Sequence, residues 1–432
     1  MNNLSEKMTR ENIKDMQGEK LKKLVKYVYE NVPFYTNKFD ETGLRPKDIK
    51  SVEDIKLLPF TTKQDLRDNY PYGMFASSIN KIVRIHASSG TTGTQTIVGY
   101  TKKDIEMWTN TVALTLKRYG VTPNDIVQVA YGYGLFTGGF GIHYGIERLG
   151  ASVIPMSGGN TEKQVLTMKN FGVTVLACTP SYALHIYDTM VKMGISPRDL
   201  KLRIGIFGAE PWSDEIRENI ENKFGIKAYD IYGLSEVMGP GVAGECVMQN
   251  GLHIDEENFL PEIIDPRTLK KVKDGDEGEL VFTTLTKEGI PLLRYRTRDI
   301  TSLNYEPCEC ECSFVRMNRI NARSDDMMII RGVNVYPMQI EKVLLSFKEL
   351  TPNYTLTIDR KGSLDQLTIL AETENSIGSY GKQYLEILQK SINTKLHNIL
   401  QIYCNINLVN PDTIARSEGK AVRVFDKRAC IS

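Results

Sequence analysis

Residues 125–131 read Asp-Ile-Val-Gln-Val-Ala-Tyr, residues 151–156 Ala-Ser-Val-Ile-Pro-Met and residues 173–179 Val-Thr-Val-Leu-Ala-Cys-Thr. Amphipathic stretches at helical spacing separate them, through Ile142 to Gly150 and from Glu162 to Gly172, and another, Met107 to Gly120, precedes the first. Short β-branched runs alternating with helix patterns predict a parallel sheet with helices on its faces. Upstream, Ile82, Val83 and Ile85 read as a strand running into Ser88-Ser89-Gly90-Thr91-Thr92-Gly93, with a second strand, residues 96–100, behind it. Further upstream, Leu21, Leu24, Val25, Tyr27, Val28 and Val32 repeat at threes and fours until Pro33 stops the helix.

Downstream the pattern changes. Between Tyr229 and Ser302 the runs are short and β-rich with Gly and Pro between them, which predicts a β-barrel-like layer. After Asp325 the chain restarts with a helix (339–347), two strands (354–358 and 366–374), a helix from Tyr380 to Ile399, a strand (403–409) and a polar tail. The expected class is therefore α/β: a large domain, 1–324, with mixed and parallel sheets flanked by helices, and a small α+β domain, 325–432.

The 432 residues hold 54 Lys and Arg against 53 Asp and Glu, a formal net charge of +1 with no basic cluster. That excludes a charged nucleic-acid groove and a polybasic membrane patch, and it points to small-molecule ligands. The polar first twenty residues carry no apolar signal core, and no run of eighteen apolar residues occurs, so a soluble cytoplasmic protein is expected. Seven cysteines are too few for a disulfide framework in a chain of this length. Three of them cluster at Cys308, Cys310 and Cys312, which in a reducing compartment points to a metal.

Residues 88–93 combine four hydroxyls with two glycines, chemistry suited to phosphate oxygens, although a ligand-free Ser/Thr/Gly turn has the same composition. No Gly-Lys-Ser/Thr follows, so this is not a Walker A loop. Further motifs follow in order: Phe207-Gly-Ala-Glu-Pro-Trp212, Tyr229-Asp-Ile-Tyr-Gly-Leu-Ser-Glu236, Tyr295-Arg-Thr-Arg-Asp299, residues 323–337 and residues 417–423. In this order they resemble the adenylate-forming superfamily of acyl-CoA synthetases, and most of all its phenylacetate-CoA ligase family, over essentially the whole chain.

The resemblance implies two steps. A carboxylate attacks the α-phosphorus of Mg-ATP to give acyl-AMP and pyrophosphate, and the thiol of coenzyme A then displaces AMP. It implies phosphate contacts from Ser88, Ser89, Gly90, Thr91, Thr92 and Gly93, a nucleotide border at Ala209, Glu210 and Pro211, and a nucleotide wall from Asp230, Ile231, Tyr232 and Gly233. In it Tyr232 lies against adenine, Ser235 near the α-phosphate, Glu236 on Mg²⁺, Asp299 on the ribose hydroxyls and Arg323 on nucleotide phosphate. Lys420 matches the lysine that stabilises charge in the first step. Asp325 matches the hinge of the mobile C-terminal domain, and Gly332 the bare wall of the coenzyme A tunnel. Two positions depart from the family: Thr94 stands where lysine is usual, and Ala322 where glycine is usual.

The acid pocket is expected from Tyr131, Phe136, Gly208 and Ala209, whose aromatic walls favour a small aromatic carboxylic acid. Cys246, His253, Cys308 and Cys310 make a closed Cys₃His set of the kind that holds structural Zn²⁺, as in some members of the family, with Cys312 a further candidate. The resemblance also suggests a homodimer. Two other functions use the same motifs: a synthetase that adenylylates a deazaflavin, and a non-catalytic nucleotide-binding relative.

Overall fold

The computed structural model describes residues 4–88, 95–320, 322–331, 333–361, 364–417 and 421–428. The first amphipathic run forms helix α1 (Arg10–Asn31), opened by the Thr9 hydroxyl, which accepts from the Asn12 amide at 3.3 Å. Pro33 ends that helix as expected but also begins the next, α2 (Pro33–Thr42), because a residue lacking an N–H suits a first turn. Thr62 and Asp65 cap each other's ends of the short α3 (Lys63–Asp68). Strands β1 (Ile82–Ser88) and β2 (Thr96–Thr101) pair antiparallel, as the strand-loop-strand pattern predicts.

Helix α4 (Lys102–Arg118) follows, capped by Thr101 and Asp104. Then come β3 (Ile126–Val129), α5 (Gly138–Leu149), β4 (Ser152–Pro155), α6 (Thr161–Phe171), β5 (Val175–Cys178), α7 (Pro180–Lys192), β6 (Ile204–Gly208), α8 (Asp214–Phe224) and β7 (Lys227–Leu234). Strands β3 to β7 pair in parallel in the order β7-β6-β5-β3-β4, as the alternation predicts. Strands β5 and β6 are buried along their whole length, the signature of a sheet covered on both faces.

The chain then reverses into β8 (Gly239–Gly244) and β9 (Leu252–Ile254), which extend this sheet antiparallel. Strands β10 (Phe259–Ile264), β11 (Gly278–Thr284) and β12 (Tyr295–Thr301) build a second, antiparallel sheet. Strands β13 (Leu303–Asn304) and β14 (Arg316–Met317) return to the first sheet beside β9, making it nine-stranded, and β15 (Ala322–Arg323) closes the order β10-β11-β12-β15 in the second. The layer expected over 229–302 is therefore an extension of the parallel sheet plus an open four-stranded sheet.

The small domain begins with the hairpin β16 (Met328–Ile330) and β17 (Val333–Val335), then α9 (Pro337–Leu345), β18 (Leu350–Lys361), β19 (Leu364–Thr373), α10 (Lys382–Leu400) and β20 (Asn405–Val409). Its sheet order is β20-β19-β18-β21, where β21 (Val424–Asp426) pairs parallel with β18. Sequence reading took this last stretch for a polar tail, because three residues with one side half exposed carry no periodicity to read. The small domain has its own core, from Met328 to Ile406, separate from the three buried clusters of the large domain. Among the described residues no helix is long and apolar enough to cross a membrane.

Candidate active site

Strands β7 and β12 and the end of β15 bring three of the sequence-picked residues together. Register pairs Asp299 with Arg323 across β12 and β15, so their side chains share a face. The Tyr232 hydroxyl donates to one oxygen of Asp299 at 2.6 Å, and the Arg323 guanidinium donates to the other at 2.6 Å. Burial pushes the Asp299 carboxyl up, and Arg323 draws it back. Arg323 also forks onto Asp325, at 3.0 and 3.1 Å. An acceptor-only carboxylate at a strand end, already served by two donors, is suited to exchange a partner for a pair of sugar hydroxyls.

The turn after β7 carries Ser235 and Glu236 and is pinned from three sides. The Ser235 hydroxyl lies 3.0 Å from that of Thr137. The Tyr100 hydroxyl, from β2, donates to the Met238 carbonyl at 2.5 Å. Lys287 is fully buried and donates to the Glu236 and Val237 carbonyls, both at 3.0 Å, with its ammonium 4.9 Å from the Tyr100 ring centre. Burial pulls this ammonium down to about 8, against the attraction of Asp104 and Glu236. The Glu236 carboxylate itself is buried, and Lys63, at the head of α3, reaches it at 3.1 Å. Gly233 is obligatory here, since a Cβ would stand 1.7 Å from the Gly239 carbonyl. A buried, rigidly held carboxylate with one exchangeable cationic partner fits a Mg²⁺ ligand, a hard oxygen that shares the ion with phosphates.

The phosphate-loop residues Ser89, Gly90, Thr91, Thr92 and Gly93, with Thr94, lie outside the described residues, as do Gly332 and Lys420. Ser88 is described at the end of β1. Its hydroxyl and that of Thr96, on the far side of the loop, are buried without a partner among the described residues. Two orphaned hydroxyls flanking this loop fit an oxygen-rich ligand.

At the end of β6, Gly208 admits no side chain, because a Cβ would meet the Ile231 carbonyl at 2.1 Å, and Ala209 follows at φ +68°. Tyr131 is buried under this strand end, and its hydroxyl lies 3.5 Å from the Ile206 carbonyl. Phe136, expected beside it, is 53% exposed. Its neighbour Leu135 offers a carbonyl to the Ala87 amide and the His86 ring, both at 3.0 Å, so the segment sits at the mouth of the phosphate loop. Ile231 is a core residue of β7. The Asp230 carboxylate turns away from Tyr232 toward Arg319, 4.0 Å off, while its amide donates to Glu245. Glu245 in turn takes Arg217 at 2.6 Å, and Trp212 lies between the guanidinium groups of Arg217 and Arg319. Glu210 accepts from the Ser181 amide at 2.8 Å and from the Ala421 amide at 3.1 Å.

Sequence reasoning missed Lys63, Lys287 and the Arg217–Glu245–Arg319 group. For Lys63 a signal existed, the cap Thr62-Lys63-Gln64-Asp65 that starts a helix beside the site. A buried lysine such as Lys287 leaves none.

Away from this face, the side chains of Cys246, His253, Cys308 and Cys310 converge, with ligand atoms all within 4.8 Å of one another. The His253 Nδ1 faces the Phe314 carbonyl at 3.1 Å, which assigns its proton there and turns Nε2 to the Cys310 sulfur at 3.3 Å. The Cys246 and Cys308 sulfurs are 3.8 Å apart. Sulfurs at about 2.3 Å from a tetrahedral zinc are separated by about 3.8 Å, so the residues fit that ion. Cys312 is not among them and packs with Ile13 and Phe314.

A family model described as AMP-binding enzyme matches residues 12–285, and one described as AMP-binding enzyme C-terminal domain matches 332–428. The phenylacetate-coenzyme A ligase of Aromatoleum evansii is 48% identical over 98% of this chain and 96% of its own length. That of Escherichia coli (strain K12) is 49% identical over 96% of this chain and 94% of its own. Among solved structures, 2-hydroxyisobutyryl-CoA ligase in the postadenylation state with an acyl-AMP superposes with a TM-score of 0.92 at 26% identity, covering 99% of this chain and 92% of that one. The same ligase with coenzyme A in the thioesterification state gives 0.72 at 28% identity, over 98% and 91% of the two chains.

Proposed function

The chain belongs to the AMP-binding enzyme family, and within it to the phenylacetate-coenzyme A ligases, and from that premise we propose how its own residues divide the work. The activity is AMP-forming ligation of an aryl acid to coenzyme A, and neither a deazaflavin-adenylylating nor a non-catalytic reading is favoured. In the first step a carboxylate oxygen bonds to the α-phosphorus of ATP and pyrophosphate leaves. In the second the thiol sulfur bonds to the acyl carbon, AMP leaves and the thiol proton is released.

The observation that carries the residue assignment is Asp299, buried and served on one oxygen by Tyr232 and on the other by Arg323. Asp299 takes the ribose hydroxyls, Tyr232 stands beside the adenine, and Arg323 follows the phosphates. Glu236 holds Mg²⁺, whose charge would offset that of the polyphosphate, and Lys63 stands ready to make up part of the charge lost where Thr94 replaces lysine. Ser88, Ser89, Gly90, Thr91, Thr92 and Gly93 cradle the phosphates with Ser235 beside them. Lys420 stabilises the developing charge of the first step. The aryl group rests against Tyr131 and the Gly208–Ala209 edge, with Phe136 at the entrance.

The boundary falls at 324/325. Arg323 is tied to Asp299, whereas the Asp325 side chain is half exposed and bonds back to Arg323, which suits a hinge at Asp325. Gly332 lines the coenzyme A path. Cys246, His253, Cys308 and Cys310 hold a structural Zn²⁺. A homodimer in a reducing cytoplasm completes the reading, and none of the six described cysteines is in a disulfide.

Pyrophosphate release over arylacetic, indoleacetic, benzoic and medium-chain fatty acids, with and without coenzyme A, tests the ligase. Aryl acids should support AMP formation dependent on coenzyme A and Mg²⁺. Silence with every acid while ATP still binds would overturn the assignment.

A further inference from the structure

Helix α7 belongs to the large domain, yet both its ends hold the same stretch of the small one. At its N-terminus the Ser181 amide anchors one oxygen of Glu210, whose other oxygen accepts from the Ala421 amide. At its C-terminus Lys192, the last helical residue, pairs with Asp412 at 2.8 Å. Midway, the Asp188 carboxyl is raised by burial and drawn back by Lys223 and by Arg416 of the same stretch. Thirteen residues of helix span about 20 Å, and the nine-residue step from Asp412 to Ala421 can reach about 30 Å. Asp412 and Ala421 therefore sit at opposite ends of the helix, in the order opposite to its own.

The hold on Ala421 is a hold on the whole small domain. Two residues on, Arg423 donates to the Glu341 carboxylate, stacks 4.8 Å over Tyr354 and offers its carbonyl to the Leu356 amide at 2.7 Å. Ala421 also directly follows Lys420 in the chain. The arrangement of the two domains is that of the postadenylation ligase and not that of the thioesterification state, by the gap between the two superpositions.

We propose that Glu210 and helix α7 form a rail that seats Asp412 and Ala421 for the first step only, making Glu210 a positioning residue for adenylation and not a nucleotide contact. This rests on the ligase reading and on Lys420 acting in the first step. The rail is built to release: Lys192 and Asp412 are both more than half exposed, and such a pair contributes little. A few weak contacts bias an equilibrium between two arrangements without locking it.

The test separates the half-reactions, using aryl-acid-dependent ATP–pyrophosphate exchange for the first and single-turnover conversion of synthetic phenylacetyl-AMP with coenzyme A for the second. Glu210→Gln should slow exchange about tenfold and leave thioester formation within about twofold. Lys192→Glu should slow exchange about threefold, and adding Asp412→Lys should restore it. Equal losses in both half-reactions would return Glu210 to the nucleotide, and undiminished exchange in both Glu210→Gln and Lys192→Glu would overturn the rail. Should Glu210→Gln fail to fold, the charge-swap pair decides alone. If wild-type enzyme is silent with every acid, the ligase reading falls. Small-angle scattering then decides the rail, which requires a more expanded Glu210→Gln/Lys192→Glu variant and is overturned by an unchanged profile.

Discussion

The turn 235–238 of the large domain and the Asp412 and Ala421 positions of the small one are held in opposite ways. The turn is gripped by Tyr100, Lys287 and Thr137 from three separate elements, all of them buried. Among the described residues, Ala421 and Asp412 meet the large domain through a carboxylate on a backbone amide and an exposed ion pair. Groups that must stand ready for charge in the transition state gain from rigidity, since nothing then reorganises during reaction. Groups needed in one step and in the way during the next gain from contacts that are easily exchanged.

The largest effect is expected at Lys420. Lys420→Ala should slow adenylation about 100- to 1000-fold while ATP binding and the conversion of preformed acyl-AMP persist. Rapid-quench measurement of each half-reaction checks this, and matching losses would erase the distinction.

On the rigid side, Lys287→Met should cost about 2–3 kcal/mol in urea unfolding and slow both half-reactions together, because two carbonyls of the turn lose their donor. The same variant has a pH signature. With its ammonium near 8 in the folded protein and about 10.4 unfolded, Lys287 leaves the unfolded chain binding more protons between those values. Wild-type stability relative to the variant should therefore rise as pH goes from 8 toward 10, and be constant below 8. A flat difference across that window would mean the lysine is not buried as described.

A third region calibrates the comparison, being rigid but away from the chemistry. Protein purified without added metal should hold about one zinc per chain. Cys308→Ser should lower Tm and zinc content together while the folded fraction keeps its activity. A variant still loaded and stable would show that the ligand set is different. Smallest of all, Lys192→Ala should shift unfolding free energy by about 0.5 kcal/mol or less. A larger shift would place the rail among the fixed elements.

Motif order singled out Tyr232, Asp299 and Arg323, which lie far apart in the chain and meet in space. The alternation over 107–178 foretold the parallel sheet because each element there is long enough to show its period. What stayed hidden was carried by single side chains crossing great sequence distance, such as Lys287 onto Glu236, or by very short strands, such as β13, β14 and β21. The Cys-x-Cys pair was legible, but Cys312 was not separable from it until the fold turned that side chain toward Ile13. Asp230 sits in a motif with Tyr232, and residues two apart in a strand share a face, yet its carboxylate lies by Arg319 rather than by Asp299.

The seating of the N-terminal segment has a consequence for synthesis. The Glu6 carbonyl accepts from the Ser313 amide and hydroxyl, Arg10 pairs with Glu256, and Ile13 packs on Cys312 and Phe314. During synthesis Glu6 thus waits for a partner 307 residues further along the chain, and long-range closures of this kind are slow. At about 5–20 residues per second, that interval is tens of seconds. For that time the Ile13 end of α1 lacks its partners, and a bulky N-terminal fusion would act on the yield of folded chains before it touched the finished enzyme.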